Sequence, residues 1–183
     1  RAPQPGPVGR DLSAGSWRPA YVALGSNLSG PRRQVELAFE ALAALPDTRL
    51  VSRSGLWRTA PMGPQDQPHF VNAAAGFLTR LPPRDFLAAL KDVERRMGRT
   101  EPAARWGPRV IDLDLLAYAD ERIDEPGLSL PHPGLHQRNF VLYPLSEIAA
   151  ELWVPGLDRV GRLRERVSPA GIERLAARGA GDD

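Results

Sequence analysis

The chain has 183 residues, of which 42% are hydrophobic and 25% charged, a composition typical of a globular protein with one hydrophobic core. It has no cysteine and three histidines, which excludes disulfides and thiolate metal sites and favours oxygen ligands for any metal. The formal net charge of +2 is too small to indicate nucleic-acid binding, and the apolar runs are too short for a membrane span.

The first predicted elements are a strand, a helix and a second strand. Tyr21–Leu24 is a short apolar strand that ends in a turn sequence. A helix then begins near Pro31, a residue suited to a first helical turn, and apolar residues at helical spacing continue as far as Pro46. Alternation over Arg49–Thr59 predicts one continuous strand.

The remaining elements complete a recognisable order. Phe70–Thr79 is a strand expected to pair antiparallel with the preceding one, and a helix follows from Pro83 to about Gly98. Val110–Tyr118 is the next strand, and Leu135–Ile148 is a helical piece that proline should interrupt near residue 144. The order β-α-β-β-α-β predicts an α+β, ferredoxin-like antiparallel sheet with its helices on one face, an accessible face opposite, and extra C-terminal elements.

Composition divides the chain into one domain and two tails. Residues 1–19 are rich in Pro, Gly and Ser and are expected to form a flexible N-terminal tail. Residues 20–160 carry the predicted core elements and form the single domain. Residues 161–183 are charged and rich in Ala and Arg, which predicts a peripheral helix or a loose tail.

Two aspartates in the strand Val110–Tyr118 are the most informative feature of the sequence. Asp112 and Asp114 are two residues apart, so they share one face of the strand while Ile111, Leu113, Leu115 and Ala117 are expected to face the core. Carboxylates at that spacing repel each other unless a cation lies beside them. A divalent cation bound to oxygen ligands, close to arginines, is typical of a nucleotide-phosphate site.

Arginines cluster just before these aspartates. Five of them lie within fifteen residues: Arg95, Arg96, Arg99, Arg105 and Arg109. Guanidinium groups bind phosphate as planar forks, so the cluster suggests a polyphosphate ligand. A solvated basic loop, and surface aspartates paired with surface arginines, would give the same pattern. The rigid turn Trp106–Pro108 directly before the strand favours the site over that alternative.

Several motifs in series give a specific resemblance. The chain resembles the 6-hydroxymethyl-7,8-dihydropterin pyrophosphokinases of folate biosynthesis, in motifs that run in the family's order from about Tyr21 to Pro155. These motifs are Val22–Leu28, Arg58–Pro61, Gly63–Pro68, Phe70–Ala73, Arg105–Asp114 and Leu130–Pro133 with Arg138, Phe140 and Val141.

The resemblance implies transfer of a pyrophosphoryl group from ATP to the pterin's hydroxymethyl oxygen, with release of AMP. Carried over by position, Asp112 and Asp114 hold two Mg²⁺ ions between the ATP phosphates and the acceptor hydroxyl. Arg99 and Arg109 contact the phosphates and stabilise the transferring group, which makes these four residues the catalytic set. No residue is assigned as a general base.

Further ATP contacts follow from the same resemblance. Beside Arg99 and Arg109 they are Glu94, Leu115, His132 and Arg138. Each has an ordinary structural alternative: Glu94 as a surface acid on a helix, and His132 as a structural histidine in a proline-rich turn.

The pterin contacts implied by the resemblance form an aromatic and polar set. Phe70 and Phe140 would stack on the two faces of the flat ring, and Asn72 would bind its amide-like edge. The other predicted pterin contacts are Thr59, Met62, Trp106 and Asp112. Core packing of the two phenylalanines and a turn-capping role for the asparagine are the alternatives.

A loop over about residues 98–109, which includes Trp106, is expected to close over the substrates and exclude water. The alternative is a fixed core tryptophan between turns.

Four positions depart from the family's pattern. They are Ala60 and Phe70 in the pterin part, Glu101 in the arginine-rich loop and Gly127 where a basic residue sometimes contacts ATP. The departures leave Arg99, Arg109 and both aspartates unchanged.

Two other functional classes fit the same strand order. An RNA-binding module would need a basic and aromatic strand where this chain has Asp112 and Asp114, and no such run occurs. A ligand-binding relative without catalysis is separated only by an activity assay. The predicted partners are therefore the two small-molecule substrates, without nucleic acid or membrane. The predicted location is cytoplasmic, and the oligomeric state is open, with a monomer slightly favoured.

Overall fold

The computed structural model describes residues 15–99 and 107–177. Within those residues the chain order of elements is β1 (Arg18–Ser26), α1 (Pro31–Ala43), β2 (Thr48–Arg53), β3 (Trp57–Thr59), β4 (Phe70–Thr79), α2 (Pro83–Arg96), β5 (Asp112–Tyr118), β6 (Ile123–Glu125), β7 (Leu128–Leu130), α3 (Asn139–Ala149), α4 (Val160–Glu165) and β8 (Ile172–Arg174). None of the helices in this described part is long and apolar enough to cross a membrane.

The main sheet is antiparallel in every described pairing. Its strands lie in the order β5-β1-β4-β3-β8. Strand β2 also pairs with β4, at residues 75–79, whereas β3 pairs with residues 70–72. Strands β6 and β7 form a separate hairpin. The predicted combination of helices with an antiparallel sheet is confirmed, and β1 and β4, the two longest strands, form its centre.

The predicted continuous strand over Arg49–Thr59 is wrong, because the chain leaves the sheet ladder between β2 and β3. At the break the backbone N–H of Ser54 donates to the Ala74 carbonyl at 2.9 Å, and its hydroxyl accepts from the Ala74 N–H at 2.8 Å. A side chain thus takes one place in the ladder, which a pattern of apolar and polar residues does not reveal. Apart from this interruption, both halves pair with β4 as predicted.

Helices cover both faces of the sheet, so the prediction of helices on one face only is wrong. Ala73 and Ala75 of β4 pack in a core with α1 and α2, whereas Ala74 between them packs in a second core with α3 and α4. This alternation is the ordinary consequence of strand geometry. The second core arises because α3 and α4 carry their own buried apolar residues, among them Leu142 and Val160.

A bulge changes the facing pattern at the end of β5. Leu115 is paired with Val22 and Ala117 with Tyr21, so Leu116 is an extra residue without a counterpart. Leu116 packs in the second core and Tyr118 in the first. Ala117 is buried, with an exposed fraction of 3%, and Ile111, Leu113 and Leu115 face the first core, all as predicted.

Helix α3 runs through Pro144, so the predicted interruption there is wrong. The break in this region falls earlier, at Arg138, whose backbone is extended between a short 3₁₀ turn and α3. Pro144 cannot donate a helical hydrogen bond. Burial of Val141, Leu142 and Leu145 in the second core offsets that loss.

The two tail regions contribute structure near their boundaries. Strand β1 begins at Arg18, so the last two residues of the predicted N-terminal tail belong to the sheet. Beyond residue 160 the chain forms α4 and then β8, which pairs with β3 at the edge of the main sheet. That strand was not predicted.

Candidate active site

A cavity of about 300 Å³ lies where β1, β3, β4 and β5 meet the start of α3. It brings together ten of the predicted site residues: Thr59, Met62, Phe70, Asn72, Arg109, Asp112, Asp114, His132, Arg138 and Phe140. These residues come from four separate stretches of the chain, 59–62, 70–72, 109–114 and 132–140, so their convergence is a property of the fold. Carboxylates and cationic groups line one part of the cavity, and aromatic and amide groups line another.

Both aspartates face this cavity, as their two-residue spacing predicted. In the sheet ladder Asp112 is opposite Gly25 and Asp114 is opposite Ala23. Small residues on β1 leave room in front of the carboxylates. The shared face is therefore open toward a ligand, whereas the intervening Leu113 is fully buried in the core.

Asp112 forms ion pairs with two arginines. Its Oδ1 atom is 2.7 Å from Nη1 of Arg99, and its Oδ2 atom is 3.0 Å from Nη1 of Arg109. Both guanidinium groups are mostly buried, with side-chain exposures of 12% and 19%. Charge pairs with that little solvent are screened weakly, so this cluster holds positive charge close to the cavity.

Asp114 is held in an unfavourable environment for its negative charge. Burial, and then the charge of Asp112, raise the pKa of the Asp114 carboxyl, while His132, Lys91 and Arg138 act in the opposite direction. A bound cation would relieve both of the raising effects. The electrostatics therefore favour a divalent metal between the phosphates of a ligand and these aspartates.

His132 is arranged to carry a neutral imidazole. Burial lowers its pKa, Asp114 raises it, and Arg138 lowers it further. Its Nδ1 atom accepts a hydrogen bond from the Gly134 N–H at 3.1 Å, which places the proton of the neutral ring on Nε2. Nε2 is thus a hydrogen-bond donor suited to a phosphate oxygen.

The residues present fit magnesium as a partly hydrated ion. In the ranges 15–99 and 107–177, no three or more Asp, Glu, His or Cys side chains are grouped to hold a metal by themselves. Magnesium does not need such a cage, since it is usually bound by one or two carboxylates together with waters and substrate phosphates. Two carboxylates on one face, one of them with a raised pKa, meet that requirement.

The other part of the cavity is built on β3 and β4. Thr59 is directly opposite Phe70 in the ladder, and the Asn72 amide donates to the Thr59 hydroxyl at 2.6 Å. Phe140, in the first turn of α3, supplies the second ring of the cavity. Two aromatic rings and a fixed amide can bind a flat, hydrogen-bonding heterocycle.

Comparison with known proteins decides the family. The family model for 7,8-dihydro-6-hydroxymethylpterin-pyrophosphokinase (HPPK) matches residues 21–150. This chain belongs to the HPPK family. The matched range contains every residue of the cavity described above.

Named relatives agree with the HPPK assignment. The 2-amino-4-hydroxy-6-hydroxymethyldihydropteridine pyrophosphokinase of Pseudomonas aeruginosa is 46% identical over 155 residues, covering 85% of this chain and 95% of that protein. The protein of the same name from Haemophilus influenzae is 45% identical over 144 residues, covering 79% of this chain and 89% of that protein.

Solved structures share the fold at low sequence identity. A crystal structure of Plasmodium falciparum HPPK-DHPS with pteroate has a TM-score of 0.66 and 14% identity, covering 82% of this chain. The chain spans 42% of the length of that protein. A second structure of HPPK-DHPS, the A437G variant with SDX-DHP, has a TM-score of 0.68 and 15% identity, covering 83% of this chain and 46% of that one.

Three of the predicted ATP contacts in this HPPK chain, Glu94, Arg99 and Leu115, are not among the residues that line the cavity. Leu115 is 4% exposed and its side chain packs in the first core. Glu94 is 1% exposed on α2, and its Oε1 atom accepts from the Leu113 N–H at 2.7 Å and lies 2.8 Å from Nη1 of Arg99. Glu94 therefore holds the backbone of β5 and the guanidinium of Arg99 without lining the cavity itself. The predicted pterin contact Trp106 lies outside the described residues, as does Glu101.

Sequence reasoning did not individually select Gly25, which lines the cavity, or Asn27, which contacts the cavity residue Arg109. The Asn27 amide donates to Oε1 of Gln67 at 3.0 Å and to the Pro68 carbonyl at 3.1 Å, and its Oδ1 accepts from the Arg109 N–H at 2.7 Å. It therefore joins the loop before β4 to the segment before β5. Its place in the HPPK-like motif Val22–Leu28 was the available signal.

Proposed function

We propose that this chain transfers a pyrophosphoryl group from ATP to the hydroxymethyl oxygen of 6-hydroxymethyl-7,8-dihydropterin, in folate biosynthesis. The observation that supports this most directly is one cavity lined by both halves of the required chemistry. Paired carboxylates and arginines suit a metal-bound triphosphate, and two phenylalanines with an amide suit a pterin. Family membership and the names of the close relatives point to the same reaction.

In the proposed reaction, the hydroxymethyl oxygen forms a bond to the β-phosphorus of ATP. The bond between that phosphorus and the oxygen bridging it to the α-phosphate breaks, and this oxygen leaves with AMP. The hydroxyl proton passes to solvent, since no side chain is assigned as general base. Magnesium held by Asp112 and Asp114, two ions by family resemblance, would neutralise phosphate charge and lower the pKa of the acceptor hydroxyl.

We assign Arg99 and Arg109 to stabilisation of the transferred group. Both contact Asp112, so both are within reach of phosphates bound at the carboxylates. Charge accumulates on phosphoryl oxygens during transfer, and preorganised guanidinium groups stabilise it there. His132 and Arg138 would bind further phosphate or nucleotide oxygens. We keep Thr59, Met62, Phe70, Asn72 and Phe140 as pterin contacts, and Trp106 as an expectation from the family alone.

We also assign the fold to the ferredoxin-like class. The order β5-β1-β4-β3, with β2 and β3 together as one interrupted strand, supports this assignment. The additional α3, α4 and β8 fill the second face and one edge of the sheet. A cytoplasmic location and a monomeric state stay predictions.

The decisive experiment identifies the nucleotide product. The chain is incubated with ATP, Mg²⁺ and the reduced hydroxymethylpterin, and nucleotides are separated by chromatography. AMP with pterin pyrophosphate supports the proposal, ADP would indicate an ordinary kinase, and neither product would indicate a binding protein without catalysis. Asp114→Asn should abolish AMP formation. Asp120→Asn is the matched control, because Asp120 is 95% exposed and pairs only weakly, at 3.6 Å, with Arg18.

A further inference from the structure

The strand β8 forms the outer neighbour of β3, the short strand that carries part of the cavity. Ile172 is opposite Thr59, and Arg174 is opposite Trp57. On the other side of β3, Thr59 is opposite Phe70 and Trp57 is opposite Asn72, both on β4. Strand β3 therefore lies between β4 and β8. Because β3 is only three residues long, its position depends on both neighbours.

Glu147 on α3 accepts hydrogen bonds that hold β3 in place. Its Oε1 atom accepts from Nε1 of Trp57 at 2.5 Å and from Nε of Arg174 at 3.1 Å. Its Oε2 atom accepts from Nη2 of Arg174 at 3.1 Å and from the Gly55 N–H at 3.3 Å. One carboxylate thus connects α3 to β3, to the turn before β3 and to β8, with a two-point contact to the arginine.

The same side of α3 reaches from this carboxylate to the cavity. Phe140, Tyr143 and Glu147 are spaced three and four residues apart, so they form one stripe on the helix. Tyr143 packs edge-to-face on Trp57 with ring centroids 5.6 Å apart. The stripe therefore contacts β3 at Trp57 and lines the cavity at Phe140, two turns away.

The loop that leads into β8 is tied to the cavity as well. The Ala60 N–H donates to the Gly171 carbonyl at 3.0 Å, directly after the cavity residue Thr59. The Asn139 amide donates to the carbonyls of Ser168 at 2.8 Å and Ala170 at 3.0 Å, directly before Phe140. The C-terminal segment thus contacts the chain neighbours of Thr59 and Phe140, two residues that line the pterin part of the cavity.

We propose that Glu147 and Arg174 are positioning residues for the pterin part of the cavity. They hold β3, which carries Thr59, at a fixed distance from α3, which carries Phe140. Neither residue lines the cavity, so they act through other residues and contact no substrate. The ATP part, at β5, is separated from β3 by two intervening strands, β1 and β4, and is held by separate contacts. The inference rests on the proposed pyrophosphoryl transfer, because it concerns where that substrate lies.

The test compares KM for the two substrates in matched variants. Glu147→Gln removes the ion pair without a change in side-chain size, Arg174→Gln removes it from the other partner, and the double variant measures their dependence on each other. Glu151→Gln is the control, because it removes an ion pair with Arg159 just beyond the end of the same helix. Thermal unfolding of each variant shows that the chain is folded at the assay temperature.

We expect KM for the pterin to rise about fivefold in Glu147→Gln and Arg174→Gln, the change that loss of a partly exposed ion pair permits. KM for ATP should stay at the wild-type value, the double variant should resemble each single variant, and Glu151→Gln should be unchanged. Equal changes in both KM values, or no change in either, would overturn the proposal.

Failure of the proposed function is distinguishable from failure of this inference. If the wild-type chain releases no AMP, the proposed function fails, and calorimetric titration with the hydroxymethylpterin then decides the positioning role. Binding about fivefold weaker in Glu147→Gln than in wild type and Glu151→Gln supports the inference. Equal affinities, or no binding by the wild-type chain, overturn it.

Discussion

Nη1 of Arg99 lies 2.7 Å from Oδ1 of Asp112, so a residue predicted to bind phosphate contacts a residue predicted to bind metal. The same nitrogen is 2.8 Å from Oε1 of Glu94, which is buried on α2. Arg99 is therefore shared between a carboxylate at the cavity and a carboxylate behind it. If Asp112 binds a metal as proposed, Glu94 would still hold the guanidinium, because the Leu113 N–H fixes the position of Glu94.

Replacement of Arg99 should slow the proposed transfer. We expect Arg99→Ala to lower kcat by about 10²-fold, the cost typical of removing one preorganised group that stabilises transition-state charge. The measurement is AMP formation at saturating ATP and pterin. Arg95→Ala is a suitable control, because Arg95 is 64% exposed and pairs with Asp92 at 3.3 Å on the surface of α2. A kcat for Arg99→Ala close to that of Arg95→Ala would contradict the assigned role.

The aspartate pair should reduce the stability of the chain without ligand. Because the pKa of Asp114 is raised in the folded state, its contribution to stability is full below the ordinary value of 3.8 and is lost as the pH rises through the folded value. Near neutral pH the ionised group therefore opposes folding. Asp114→Asn should leave the free energy of unfolding unchanged or higher there, although it abolishes turnover.

Urea denaturation near neutral pH, followed by circular dichroism, checks this expectation for Asp114→Asn. Added Mg²⁺ with an ATP analogue should stabilise the wild-type chain and have little effect on the variant, because the metal needs the carboxylate. A variant clearly less stable than wild type without ligand would show that Asp114 supports the fold. The metal assignment would then lose its electrostatic basis.

The shared face of Asp112 and Asp114 was predicted correctly, whereas parts of the sheet around them were not. Asp112 and Asp114 share a face because strand periodicity is local, and no distant contact is needed to establish it. The bulge at Leu116 depends on how β5 pairs with β1, which is a long-range property. The strand β8 is short and mostly polar, so only its pairing with β3 and the Glu147 contact identify it.

The sequence also did not reveal roles that depend on tertiary contacts. Glu94 was expected at the nucleotide, but the fold turns it toward Arg99 and the Leu113 N–H. Gly25 and Asn27 were read as parts of a motif and a turn, and their contacts to residues 40 or more positions away appear only in the folded chain. Local patterns identify chemistry, whereas support of that chemistry comes from tertiary contacts.

Gly25 should be essential for the position of Asn72. A Cβ atom at residue 25 would lie 2.7 Å from Oδ1 of Asn72, too close for both to remain in place. Gly25→Ala should therefore rotate the amide and break its 2.6 Å hydrogen bond to Thr59. We expect KM for the pterin to rise about tenfold, the effect of losing roughly one buried hydrogen bond, with KM for ATP unchanged.

A double variant separates this mechanism from a general disturbance of β1. If Gly25→Ala acts by displacing the amide, adding it to Asn72→Ala should cost little more than Asn72→Ala alone. Additive increases in KM would instead show that the new methyl group perturbs the cavity by another route. Steady-state assays of the three variants under one set of conditions provide the comparison.

The Glu147 contacts should make stability depend on pH in the acidic range. Partial burial raises the pKa of Glu147, but hydrogen bonds from Arg174, the Gly55 N–H and Trp57 outweigh that effect, and the pKa is held below its ordinary value of 4.5. For a lowered pKa the contribution to stability is full above the ordinary value and is lost as the pH falls through the folded value. Glu147→Gln lacks this contribution at every pH.

We therefore expect wild type to exceed Glu147→Gln in free energy of unfolding by about 1 kcal/mol at most near neutral pH, since solvent screens a partly exposed pair. The difference should shrink toward zero as the pH falls below the lowered pKa, because protonated Glu147 then resembles glutamine. Urea denaturation of both proteins from about pH 7 to about pH 3 measures it. A difference that stays constant across this range would mean that the glutamate acts through its shape, and its charge would then have no part in holding β8 against α3.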